Sequence, residues 1–158
     1  MTPPSILLDS QLIGTEHPSA TVLVERGRLR AFALAIGEPD LVYTDLDVAQ
    51  AAGHPDLPVP PTFLFGVAAG HGADDFAWMT ELGIDLRHVL HGEQAFTYHD
   101  VAHAGDTMVL SPVIVDVYSK RGGALQFLVR ETRVRRADGS LVADLRMTIV
   151  VRAPTVTA

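Results

Sequence analysis

The second half of the chain is written in a period of two. HGEQAFTYHDVA (91–102), TMVLSPVIVDVYSK (107–120), ALQFLVRETRVRR (124–136) and LVADLRMTIVVR (141–152) read as four strands. Turn chemistry separates them: Ala104-Gly105-Asp106, Arg121-Gly122-Gly123 and Ala137-Asp138-Gly139-Ser140. The last two are hairpin signals, so the strands are antiparallel neighbours. A sheet of this kind needs apolar cover on one face.

The first half supplies it. SATVLVE (19–25) predicts a short strand. RGRLRAFALAIG (26–37) sets Leu29, Phe32, Ala33 and Ile36 at helical spacing, with Gly37 as its stop. DLDVAQAAG (45–53) predicts a helix capped by Asp45 and ended by Gly53. In PPTFLFGVAAGHG (60–72) two prolines can open a helix but not sit inside it. Phe63, Leu64, Phe65, Val67, Ala68 and Ala69 then cover every side, and a helix apolar all round is a buried one. Another short helix is predicted within 74–82. No repeat or linker divides the 158 residues. The expected architecture is a single α+β domain over 1–158: a strand and helices over about 19–82, and a strand-rich half over about 91–152.

Composition narrows the function classes. Hydrophobic residues make up 47% and charged residues 20%, a globular balance. A net charge of -7 disfavours nucleic acid and anionic membranes as partners. The absence of cysteine removes disulfides and thiolate chemistry. The opening MTPPSILLDSQLIG lacks the basic start and apolar run of a signal peptide, and no apolar stretch is long enough to span a bilayer. A soluble cytoplasmic protein is the expectation.

The seven histidines do not fall into a metal pattern: His99 and His103 are four apart, but on a strand and turn where that spacing does not converge. There is no G-x-S-x-G, no P-loop and no G-x-G-x-x-G, so no metal or cofactor is expected. Two stretches remain. GEPDLVYTD (37–45) holds three carboxylates and a tyrosine between apolar segments. Local rules make it a polar turn capping a helix at Asp45. HGEQAF (91–96) begins a strand with His91, Gly92 and Glu93. Gly92 permits close backbone approach, and Glu93 and Gln94 alternate faces, so one of them points inward and needs a partner or a ligand. The plainer reading is an exposed start of a strand.

Three ordered blocks, AFALAIGEPDLVYTD, AAGHPDLPVPPTFL and VLHGEQAFTYHDVAHAGDTM, resemble the MaoC-like hydratase/dehydratase family. The similarity runs from about residue 12 to 152, and is greatest to that family's N-terminal, FAS1-like dehydratase half. It implies a hot-dog fold, with an antiparallel sheet of about five strands wrapped around one central helix, PTFLFGVAAG. It implies reversible hydration of a trans-2-enoyl thioester of coenzyme A or acyl carrier protein to an (R)-3-hydroxyacyl thioester. It also implies a dimer, with itself or with a related catalytic subunit, because the working unit contains two hot dogs.

Such chemistry needs a carboxylate and an imidazole flanking one water, and a backbone N–H facing the thioester oxygen. The family keeps aspartate and histidine in a G-D-x-N-P-[LI]-H loop and a His-Gly pair at the start of the central helix. Carried onto this chain, Glu38 falls at the aspartate and Tyr43 at the histidine, while Pro60-Pro61 replaces His-Gly. Tyrosine, with a pKa near ~10, is a poor base at neutral pH. Pro61 has no N–H to offer. Removal of one oxyanion donor costs about 100- to 1000-fold in rate.

Two readings follow. The chain is the acyl-binding half of a pair whose partner carries the chemistry, or it is self-sufficient and recruits Asp40, His54, His91 or Glu93 beside Glu38 and Tyr43. A thioesterase and a small-molecule-binding hot-dog protein are further alternatives. Glu38, Asp40, Tyr43, Pro61, Thr62, His91 and Glu93 are expected nearest the thioester, with Phe63 and His54 as further substrate-binding residues. Lys120-Arg121, a basic pair at a strand end, suits a phosphate, although a solvated hairpin explains it as well.

Overall fold

The computed structural model describes residues 8–69 and 76–152. The elements are β1 (Ala20–Leu23), α1 (Arg26–Ala35), α2 (Leu46–Ala51), α3 (Phe63–Ala69), α4 (Ala77–Glu81), β2 (Val89–Tyr98), β3 (Thr107–Lys120), β4 (Leu125–Arg136) and β5 (Leu141–Arg152). The strands form one five-stranded sheet in the order β1-β3-β4-β5-β2. Every pairing is antiparallel. The two predicted hairpins join β3 to β4 and β4 to β5, and β2 lies on the far side of β5 as an edge.

One sheet face is covered. Phe63, Leu64 and Val67 of α3 pack with Met108, Leu110, Val134, Ala143 and Leu145. Met79 of α4 packs with Ile114, Leu128, Ile149 and Val151 in a second cluster. The other face is polar, with exposed ion pairs Glu131–Arg146 and Arg133–Asp144 between β4 and β5.

The structure refines the predicted elements in three places. First, α3 starts at Phe63 rather than at the prolines, because Pro60 serves as the acceptor of the first turn (Phe63 N–H to Pro60 O, 3.0 Å). Second, α3 is not buried all round: Phe65 and Gly66 stay exposed on the flank that looks towards β2. Residues 70–72 of the predicted helix and 74–75 of the next lie outside the described residues. Third, β2 runs from Val89 to Tyr98, so His99 to Ala102 leave the ladder. There the N–H groups of His99 and Asp100 both turn onto Val142 O.

Gly92 is a bulge. The register of β2 on β5 shifts between His91 and Glu93. A Cβ at Gly92 would sit 2.9 Å from Val150 Cγ2 and 3.2 Å from Thr148 O, so a side chain has no room. The extra residue sets His91 opposite Ile149 and Gln94 opposite Met147, on the covered face, and leaves Glu93 opposite Thr148 on the other. Among the described residues no helix is long and apolar enough to cross a membrane.

Candidate functional site

The loop 37–45 builds itself from its carboxylates. Gly37, at φ 70°, ends α1 in the left-handed region. Glu38 accepts the Asp40 N–H at 3.0 Å, and Asp40 accepts the Val42 N–H at 3.0 Å, capping the single turn Leu41–Tyr43. Asp45 accepts the N–H groups of Asp47 and Val48 and caps α2, as predicted. Glu38 and Asp40 therefore hold the turn that presents Tyr43, and Asp45 starts the helix that follows it.

Tyr43 looks into a cavity of about 390 Å³. Val42, Val59, Leu64, Val101 and Val142 make its walls mostly apolar, and Pro61 forms part of its rim at the approach to α3. Its polar groups come from Tyr43, His54, Tyr98, His99 and Asp100. Burial pushes the Tyr43 hydroxyl above its usual pKa, and the charges of Glu38 and Asp40 push it further. At neutral pH it is a donor, not a base. Burial raises Tyr98 in the same way.

Behind this wall His54 bonds to His103, whose backbone N–H donates to Asp106. Arg136 locks that corner: its guanidinium donates to Asp106 (3.0 Å), Asp100 (2.8 Å), Val101 O (2.7 Å) and Ser140 Oγ (3.2 Å). His99 is held by Asp144 at 2.8 Å, and Asp144 also receives Arg133 at 3.1 Å.

Of the residues singled out in the sequence, the fold brings Tyr43, His54 and Pro61 into this one cavity. Glu38 and Asp40 stand beside Tyr43, with oxygens already engaged by the loop. Thr62 is exposed just ahead of α3, and Phe63 is buried in the core beneath it. His91 packs against Phe65, ring centroids 5.1 Å apart. Glu93 lies on the opposite sheet face from His91, so the pair does not converge on one substrate. Lys120 and Arg121 occupy the β3–β4 turn, beside the Arg152 end of β5, whereas the cavity lies at the Val142 end. The Lys120 ammonium rests over the stacked rings of Tyr118 (5.6 Å) and Phe127 (5.1 Å). Among the described residues no three His, Asp or Glu gather where a metal could sit.

Sequence reasoning did not find Tyr98 and His99 in one cavity with Tyr43, or His103 as the partner of His54. Their proximity depends on the β2–β5 pairing and on a bridge between Pro58 and His103, and no local motif encodes either.

Comparison with known proteins agrees with this geometry. Residues 11–145 match a family model described as the FAS1-like, dehydratase domain region. A UPF0336 protein of Streptomyces coelicolor is 39% identical over 119 residues, covering 73% of this chain and 77% of the relative. The HadBC (3R-hydroxyacyl-ACP dehydratase) complex of Mycobacterium tuberculosis contains a chain that superposes with a TM-score of 0.75 at 21% identity, over 90% of this chain and 99% of that one. The (R)-hydratase of A. caviae involved in PHA biosynthesis superposes with a TM-score of 0.66 at 13% identity, over 93% and 100% of the two chains. These likenesses identify the five-stranded antiparallel sheet and its helix as the hot-dog fold of the MaoC-like dehydratases. Over most of its length, the chain belongs to the FAS1-like dehydratase domain family.

Proposed function

We propose that this chain is the acyl-binding half of an (R)-specific enoyl-thioester hydratase/3-hydroxyacyl-thioester dehydratase, paired with a subunit that carries the water-activating groups. The observation that carries this reading is the wall of the 390 Å³ cavity: it is apolar, yet it presents Tyr43 as a protonated donor and the N–H-free Pro61. An acyl chain finds a fitting surface there. A water poised between carboxylate and imidazole is poorly served there, since Glu38 and Asp40 do not line the cavity and the Asp100 carboxylate that does is bound by Arg136 and the Val101 N–H. The exposed flank fits a paired subunit. The edge strand β2 carries exposed Leu90 and Tyr98, and Phe65 is exposed beside it.

A self-sufficient site is the second reading, favoured by the imidazoles of His54 and His99 in the cavity wall. One assay separates the two. The purified chain is mixed with crotonyl-CoA and with a longer enoyl-CoA, and loss of the conjugated thioester absorbance is followed. The proposal expects no turnover by the chain alone, and turnover once a MaoC-like partner retaining aspartate and histidine is added. Robust turnover by the lone chain overturns it. In that case His54→Ala and His99→Ala should each cost at least about tenfold in kcat/KM.

A further inference from the structure

Among the described residues, Arg130 is a buried charge without a counter-charge. It projects from β4 onto the covered face, 8% exposed, at the junction of the two apolar clusters. A guanidinium has five N–H donors. Among the described residues it makes one hydrogen bond, Nη2 to Ala68 O at 3.3 Å near the end of α3, and lies 4.7 Å above the Trp78 ring. None of the ion pairs among the described residues includes it. Burial pulls its pKa below the usual guanidinium range.

Trp78 has a second polar neighbour. His17 meets Trp78 edge-on, ring centroids 5.2 Å apart, and its Nε2 is buried with no hydrogen-bond partner among the described residues. Burial first, and then the Arg130 charge, lower the His17 pKa, with Glu81 opposing.

Space for a counter-charge exists. A cavity of about 20 Å³ lies against Arg130, walled by Gln94, Thr132, Phe65, Ala68 and Met147. It is large enough for one small species. A water would fill it but would leave the guanidinium unbalanced, and burying an unpaired charge is costly. We propose that this niche binds a small monovalent anion of chloride size, held by the Arg130 guanidinium with the Gln94 amide and Thr132 hydroxyl beside it. Because Arg130 also holds Ala68, the anion steadies the far end of the helix whose first turn walls the large cavity. The niche stands whether or not the chain binds acyl thioesters.

Crystals of the full chain grown in bromide test the site directly. An anomalous peak within hydrogen-bonding reach of the Arg130 guanidinium is expected, and its absence overturns the proposal. In solution, thermal unfolding is compared in sodium chloride and sodium gluconate at equal ionic strength. Chloride should raise Tm saturably by a few degrees, roughly what occupancy of one site supplies. Arg130→Met should abolish that difference. If Arg130→Met does not fold, the wild-type bromide and chloride measurements still decide. No chloride effect and no bromide peak would mean that the counter-charge comes from the chain itself, for which the sequence between Ala68 and Trp78 offers Asp74 and Asp75, and the proposal fails.

Discussion

His54 Nδ1 and His103 Nε2 share a hydrogen bond of 3.0 Å, formed by residues 49 positions apart. It joins the segment after α2 to the turn after β2 and backs one wall of the cavity. One nitrogen must be bare to accept it, so the bond does not survive protonation of both rings.

Stability should therefore fall on mild acidification. Burial, followed by the neighbouring His54, holds His103 below its ordinary 6.5; Asp106 and Asp100 oppose this and Arg136 adds to it. His17 is lowered too, by burial and then by Arg130. In both cases the unfolded chain takes up the proton first as pH drops below 6.5, so the contribution is complete above that value and is lost below it. Urea unfolding between about pH 7.5 and 5 should show this decline, and His103→Gln should flatten part of it. A wild-type profile flat across that window contradicts the assignment.

Gly92→Val should destabilise the fold by about 1–3 kcal/mol, the usual scale of overpacking. The new Cβ would press on Val150 and on the Thr148 carbonyl. Because the bulge turns His91 towards α3, the stacking of His91 on Phe65 should loosen as well. Denaturant unfolding gives the first effect, and His91 ring chemical shifts report the second.

Much of this was legible in the sequence, and the division has a physical cause. Alternation in 107–152 and the Gly-rich turns specify hairpins between adjacent segments, so β3, β4 and β5 could be read directly. Asp45 could be read as a cap because its partners lie two and three residues away. The site is different. His99 finds Asp144 across 45 positions, and Arg130 finds Ala68 across 62. Such pairs depend on strand order, which alternation does not encode. The bulge at Gly92 also sends His91 and Glu93 to opposite faces, where a spacing of two in a regular strand would have set them on the same one.

Val101→Trp offers a clean probe of the cavity. Val101 lines it yet is 47% exposed, so the larger ring can be added without disturbing the core. Stability should change by less than about 0.5 kcal/mol, while affinity for an acyl thioester, measured by calorimetry, should fall about tenfold, the equivalent of one lost 1.4 kcal/mol contact. Unchanged affinity would place the acyl chain elsewhere.

Arg136→Met should cost about 1–3 kcal/mol, since hydrogen bonds to charged groups are worth that much and Asp106 would be left facing an apolar chain. The corner from Asp100 to Asp106 should become more mobile, seen as faster amide exchange at Val101 and Ala102. Arg136→Lys should recover only part, because an ammonium cannot span Asp100, Asp106 and Val101 O together.

The strand order β1-β3-β4-β5-β2 also sets a schedule for folding. Among the described residues the last strand, β5, lies inside the sheet, and β2 pairs with β5 alone. During synthesis, residues 89–98 must wait until residues 141–152 emerge before they have a ladder to join. In that interval α3 and β2 expose apolar surface that the finished sheet later covers in part. A chain stopped after β4 keeps two hairpin-linked strands and loses its hold on the wall of the cavity, so the whole site belongs to the last step of folding.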